Sequence, residues 1–271
     1  MIDTRVAICG VARDCADRLP YSLRIMEKIA GMFESAKFVF AEDTSIDNTL
    51  GILFEFSKDK QATLSNGDTR SERWINWQGG TPYRPEQIAR ARNIVLGNIP
   101  KDVDYVLMMD MDFVLEPDYD GIAECFTRDD WDAVFANGIA PDGCYWDWFA
   151  LRDKTFPFGV ETMGDAWYPL KRPHHFLTDE WHPVYSAFGG FGIYRREALE
   201  GCRYSAMVTP AVRALNTSLG FTGAYQTHQG VGPEPSLCEH VGLHADMIAR
   251  GHGRLYINPR MVFRYSGAIN G

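Results

Sequence analysis

The stretch Tyr105-Val-Leu-Met-Met-Asp110-Met-Asp112 decides the fold. Val103–Met109, apolar but for Asp104, reads as a buried strand, and it runs into two acidic residues spaced i, i+2. A strand buried on both faces reads as such a continuous run, as in a parallel sheet covered by helices. Alternation of side chains puts both carboxylates on one side, and in open α/β sheets ligands bind beyond the carboxyl ends of the strands. Asp110 and Asp112 therefore form a hard-oxygen pair suited to Mn²⁺ or Mg²⁺, which take one or two protein carboxylates together with phosphate oxygens.

The segments before this strand supply the rest of the pattern. Val6–Cys9 is a short strand closed by Gly10, and Pro20 opens a helix carrying Leu23, Met26, Ala30 and Phe33 at helical spacing. Lys37–Ala41 is a second strand ending in Glu42-Asp43, and Ser45 and Asp47 offer cap oxygens to a helix with Leu50, Leu53 and Phe54. Gln61–Leu64 reads as a third strand. Pro85 opens a helix with Ile88, Ala91 and Val95 on one face. This β-α-β-α-β-α-β order implies parallel strands with helical crossovers.

Beyond Asp112 the pattern loosens. Ala133–Ala136, Ala187–Tyr194, Leu255–Ile257 and Met261–Tyr265 read as strands, and about Leu237 to Arg250 as a helix. The expectation is an α/β sandwich with a mostly parallel central sheet, one domain over residues 1–271, regular in its first half and irregular in its second.

Composition narrows the function. The chain has 271 residues, 45% apolar and 23% charged, which suits a soluble globular enzyme. Its 27 Lys plus Arg against 36 Asp plus Glu give a net charge of −9, the wrong balance for a nucleic-acid partner. An anionic ligand would need a local basic pocket or a bridging metal. No run approaches the ~20 apolar residues of a membrane span. The six cysteines form no C-x-x-C pair and read as reduced thiols of a cytoplasmic protein.

Three chemistries compete for the acidic strand end. Asp110-Met-Asp112-Phe-Val114 also fits the strand end of haloacid-dehalogenase-type phosphatases, with Asp110 as nucleophile. Those enzymes place that strand near the N-terminus and need a second acidic pair, and Asp129-Asp130 comes too soon for it. A nucleotidyltransferase would want a Gly- and Lys-rich triphosphate loop after the first strand, which Gly10-Val-Ala-Arg-Asp-Cys is not. A non-catalytic glycan-binding module would need no metal–diphosphate site.

Several segments in order resemble one family. They are Ala7-Ile-Cys-Gly-Val-Ala-Arg-Asp14, Ala41-Glu-Asp-Thr-Ser-Ile-Asp-Asn-Thr49, Arg90-Ala-Arg-Asn93 with Asp104–Asp112, and Trp146-Asp-Trp-Phe-Ala-Leu-Arg-Asp153. Ser236-Leu-Cys-Glu-His240 and Ile257-Asn-Pro-Arg-Met-Val262 complete the set. Together they resemble the GT-A-fold glycosyltransferases, and within them the fungal capsule-associated α-1,3-mannosyltransferases and their bacterial relatives. The resemblance implies transfer of a hexose from a GDP- or UDP-linked donor to a glycan or glycolipid acceptor, with retention of configuration. It assigns residues 1–112 to the nucleotide and 113–271 to the acceptor. The family's membrane anchor is absent, which leaves peripheral membrane contact.

In that frame Asp112 binds the metal directly, and Asp110 contacts the metal or the ribose. Cys9, Gly10 and Val11 with Glu42 and Asp43 would line the base and ribose pocket, closed by Arg13. Arg90 and Arg92 are candidates for phosphate or sugar, and their ~200° separation on a helix turns only one inward. Gly189-Gly190 suggests close backbone approach to a ligand, beneath the donor sugar in this fold. Trp131–Trp181 holds five of the seven tryptophans and suits an acceptor cleft. Asp147 is expected to face the donor sugar and Asp153 to pair with Arg152. Glu239 is the candidate base or acceptor binder. His244 is a candidate third metal ligand; otherwise it and His240 lie on the outer face of their helix, opposite Cys238, Val241, Ala245 and Ile248.

Overall fold

In a computed structural model, described over residues 1–67, 84–167, 170, 172–227 and 235–266, the first half alternates strand and helix as the sequence predicts. The order is β1 (Ile2–Ala12), α1 (Leu19–Ala30), β2 (Phe33–Glu42), α2 (Thr49–Lys60), β3 (Thr63–Asn66), α3 (Arg84–Gly97) and β4 (Tyr105–Asp110). There follow α4 (Tyr119–Glu124), β5 (Ala133–Ile139), α5 (Val160–Met163), β6 (His182–Pro183), β7 (Phe191–Arg195), α6 (Pro210–Ser218), α7 (Glu239–Ala249) and β8 (Leu255–Arg264).

All eight strands join one sheet in the order β3-β2-β1-β4-β7-β5-β8-β6. β3, β2, β1 and β4 run parallel, β7 enters antiparallel between β4 and β5, and β5 pairs β8 in parallel. Alternation along the strands splits the core in two. Ala7, Cys9, Val39, Ala41, Val106 and Met108 face one side, and Val6, Ile8, Phe38, Phe40, Leu107 and Met109 the other. α3 and α7 cover the first side, and α1 covers the second with Leu19, Leu23, Met26 and Ile29. Each buried Leu, Ile or Met contributes about 1.5–3 kcal/mol, so both faces hold the sheet in place.

The structure departs from the sequence reading in its second half. The segment expected over Ala187–Tyr194 is strand only from Phe191, running on to Arg195, and the two closing strands are one, with a register shift against β5 between Ala136 and Asn137. α6 was not expected, although Thr209 caps it through the Val212 amide and Pro210 stands in its first turn.

The parallel register fixes the site. Val11 lies opposite Asp110 and Ala12 opposite Glu42, so three strands end along one edge. No helix among the described residues is long and apolar enough to cross a membrane.

Candidate functional site

A cavity of about 1050 Å³ opens along this edge. Asp110 ends β4, and Asp112 follows one residue into the turn; both line the cavity, while Met111 between them is buried. Gly10 explains that placement. A Cβ there would stand 2.2 Å from Met111 Sδ, so only glycine lets the turn settle against β1.

Asp110 is fixed at its amide and at both carboxylate oxygens. Its amide donates to Gly190 O at 2.9 Å, Oδ1 accepts from Arg92 Nη2 at 2.9 Å, and Oδ2 accepts from Tyr265 Oη at 2.8 Å. Asp112 is the opposite case: its Oδ1 is buried with no hydrogen-bond partner. Burial and then the neighbouring Asp110 push its carboxyl up to about 6, against the milder pull of Arg18 and Arg84.

Arg92 organises the floor. Ala89, Arg92 and Val95 share the buried face of α3, which turns the guanidinium inward and leaves Arg90 outside. Arg92 Nη1 donates to Glu239 Oε1 at 2.5 Å and also meets His240 Nε2. Its guanidinium lies 4.8 Å from the Phe188 ring centre and 5.6 Å from that of Tyr204. Burial opposes its charge, but Glu239 and Asp110 hold the guanidinium protonated, above its ordinary value. His240 is pushed well below its usual range by burial and by Arg92, so it is neutral and accepts through Nε2. Glu239 is raised by burial, with Arg92 opposing.

Asp147 sits on the cavity wall in the left-handed region, at φ 60°. Burial, then Asp110 and Glu239, raise its carboxyl well above the usual range, and Arg92 offsets this in part. Trp146 and Trp148 on either side also line the cavity. Arg13, Arg18, Arg84 and Arg172 bring positive charge to the same space.

The loop after β1 is tied to the loop after β2. Asp14 donates its amide to Ser45 Oγ and accepts from the Ile46 amide, and Arg13 reaches Asp43 at 3.5 Å. Val11, Arg13 and Asp43 line the cavity.

Other expected residues lie elsewhere. Cys9 is in the core, and Gly10 serves packing rather than a ligand. Glu42 turns back to accept from the Ser45 amide at 2.6 Å. Arg90 pairs with Glu86 on the outer face of α3. The close approaches at Gly189 and Gly190 are made to the protein itself. A Cβ on Gly189 would lie 2.3 Å from Ala136 O, and one on Gly190 2.4 Å from Phe113 Cζ.

Asp153 accepts from the Thr155 and Phe156 amides and bonds His182 at 2.8 Å, while Arg152 pairs with Glu161 at 2.9 Å. The expected Arg152–Asp153 pair is thus replaced. His244 is fully buried with both ring nitrogens engaged, Nδ1 by Ser186 Oγ at 2.9 Å and Nε2 by Tyr194 Oη at 3.2 Å. It borders no part of the cavity, which corrects the expectation of a third ligand. The outer-face alternative fails as well, because α7 is buried nearly all round.

Among the described residues, no group of three or more His, Cys, Asp or Glu could hold a metal ion. A cation at Asp112 would take protein oxygens from this carboxylate pair alone and complete its shell from ligand and water, as Mg²⁺ and Mn²⁺ sites on phosphates do. The orphaned oxygen and its high carboxyl pKa fit such a cation.

No family model matches the sequence, and no curated protein matches it. Solved structures do share its fold. A fragment of S. aureus TarS in complex with UDP-GlcNAc is 13% identical, with a TM-score of 0.50 over 97% of this chain. The mannosyltransferase PcManGT from Pyrobaculum calidifontis, in complex with GDP-Man and Mn²⁺, is also 13% identical, with a TM-score of 0.50 over 100% of this chain. The chain spans 59% of the length of either. Its fold is GT-A, as the order of motifs implies.

Proposed function

We propose that the chain is a metal-dependent glycosyltransferase moving a hexose, mannose-like or glucose-like, from a GDP- or UDP-linked donor to a glycan or glycolipid acceptor, with retention of configuration. The observation that carries the reading is Asp112 Oδ1, a buried carboxylate oxygen left without a partner at the end of β4. A purely structural turn would hydrogen-bond that atom or expose it to water. Two proteins of the same fold hold a nucleotide sugar, one of them with Mn²⁺.

The roles follow from the geometry. Asp112 would hold the cation, and Asp110, fixed by Arg92 and Tyr265, would orient beside it. Bound Mn²⁺ or Mg²⁺ supplies Lewis-acid stabilisation of a leaving diphosphate. Arg13, Arg18, Arg84 and Arg172 would attract the diphosphate to an otherwise acidic chain. Val11 and Asp43 would border the nucleoside, in keeping with residues 1–112 serving mainly the donor, and 113–271, Arg172 apart, the acceptor. In the transfer, the bond from anomeric carbon to diphosphate oxygen breaks and a bond to the acceptor oxygen forms. The hydroxyl proton passes to a phosphate oxygen or a cleft carboxylate.

The phosphatase reading finds no support in the site. Both oxygens of Asp110 are hydrogen-bonded, and no described lysine lines the cavity.

Thermal unfolding with UDP, GDP, CDP and dTDP, each with and without Mn²⁺, tests the proposal. A ligand at a hundred times its Kd adds about 2.7 kcal/mol. The expected result is a Mn²⁺-dependent shift with one nucleotide that is lost in Asp112→Ala. No shift with any of the four overturns it.

A further inference from the structure

A second cavity, of about 570 Å³, lies away from the acidic strand end, beside the last turn of α3 and the start of β4. Leu96, Ile99, Val106 and Leu199 give it apolar walls, and Arg196 and Arg203 bring positive charge. Among the described residues that line it, Glu200 alone is acidic. The cavity thus carries surplus positive charge in a chain of net charge −9.

Both arginines have donors to spare. Arg196 Nη1 donates to Glu200 Oε1 at 2.8 Å, whereas no described residue accepts from its Nε or Nη2, and Nε is buried. Buried donors are nearly always satisfied, so one left over asks for a partner. Elsewhere in this chain the same Nε–Nη2 edge grips a carboxylate with two bonds: Arg5 holds Asp104, Arg128 holds Asp130 and Arg254 holds Asp132. Arg203 is exposed, and its side chain is in no hydrogen bond or ion pair with a described residue; only its amide is engaged, by Asp246.

We propose that this cavity is a binding site for a small organic oxyanion, an apolar body bearing one carboxylate or phosphate head. The body lies against Leu96, Ile99, Val106 and Leu199, and the head takes the Nε–Nη2 edge of Arg196, with Arg203 beside it. Ligand cavities of ~300–1,000 Å³ are built this way, mostly apolar with a few placed polar groups.

The site is separate from the acidic cavity. α3 stands between them, with Ala91 and Arg92 on the acidic cavity and Asn93 and Leu96 on the second. Asn93 closes the wall by bonding both the amide and the carbonyl of Tyr204 at 2.9 Å, and the Tyr204 ring lies against Arg92. The site therefore stands whether or not the acidic cavity takes a nucleotide sugar.

Calorimetric titration of the full chain tests the site, with octyl phosphate, octanoate, inorganic phosphate and the cationic octylamine as probes. Gly97 supplies a blocking variant. It ends α3 on the cavity wall, and a Cβ there would meet no atom within 4 Å, so Gly97→Phe puts its ring into open space. Phenylalanine is also the better helix residue, which favours an intact fold. Arg203→Gln changes an exposed side chain and serves as the second variant.

Wild type should bind octyl phosphate or octanoate at one site, and the tighter of the two identifies the head. Gly97→Phe and Arg196→Gln should each weaken that anion roughly tenfold or more, and Arg203→Gln about threefold. Arg172→Gln, in the acidic cavity, should change it by less than about twofold. Binding of neither anion overturns the site, as does binding that survives Gly97→Phe and both arginine variants. A loss confined to Arg172→Gln places the anion in the acidic cavity and also overturns it. Inorganic phosphate bound as tightly as octyl phosphate, or octylamine bound as tightly as the anions, overturns the match of body and head.

Discussion

Replacing Asp112 by asparagine should make the ligand-free protein more stable and end its response to metal. The change is isosteric and exchanges a half-buried carboxylate, one oxygen of which has no partner, for a neutral amide. In the folded chain the carboxyl titrates at about 6, against 3.8 for an unperturbed aspartate. A gap of roughly two units is worth about 3 kcal/mol at 1.36 kcal/mol per unit. Solvent in the open cavity screens part of it, so about 1–2 kcal/mol is expected.

A raised carboxyl pKa means the folded state holds its proton longer than the unfolded state does. The destabilisation is therefore complete above about pH 6 and fades as pH falls toward 3.8. Asp112→Asn should gain ~2–6 °C in Tm over the wild type at pH 7.5 and only about a third of that at pH 4.5. Comparing the two proteins at each pH removes the background of His240 and His244, whose depressed pKa values destabilise both proteins alike in acid. Thermal unfolding in a chelating buffer, then with Mn²⁺ and the responsive nucleotide, completes the test. An Asp112→Asn protein no more stable than wild type at pH 7.5, or a difference that persists unchanged at pH 4.5, would refute the argument that this oxygen lacks a partner.

Two further variants probe the floor of the cavity. Arg92→Met leaves Glu239 and Asp110 without their cation, and should cost about 3–5 kcal/mol at pH 7.5. Denaturant unfolding should show part of that loss recovered at pH 5, because burial raises the Glu239 carboxyl and favours its neutral form as the pH falls. His244→Gln should lose about 1–3 kcal/mol by disturbing the bonds to Ser186 and Tyr194. Its Mn²⁺-dependent nucleotide shift should survive; a lost shift at unchanged fold would restore His244 as a ligand.

The legible part of the site is the part built by neighbours in sequence. The apolar run before Asp110 announced a buried strand, and its carboxylates line the cavity as the alternation implied. The ~200° between Arg90 and Arg92 anticipated one inward and one outward side chain, because helix geometry alone decides it. What the sequence hid depends on contacts between distant segments. Nothing near Arg92 points to Glu239, 147 positions away, so the sequence does not reveal the clamp between them. His244 failed for a related reason: histidine spacing shows a shared helix face but not whether Ser186 and Tyr194 already occupy the ring. Gly189 and Gly190 announced close approach correctly, but what approaches is the chain itself.

The balance of charge on this wall argues for what the cavity is kept for. Asp110, Asp112, Asp147 and Glu239 converge on it, and of these four carboxylates Arg92, the buried cation among them, bonds Asp110 and Glu239. A fold selected for stability alone would have given Asp112 a partner or replaced it, since a buried carboxylate oxygen without one is destabilising. The two that lack a protein cation differ in kind. Asp112 keeps an orphaned oxygen at a strand end, where a hard cation would be held. Asp147 stands in a left-handed backbone on the cavity wall, its carboxyl raised by burial and by Asp110 and Glu239.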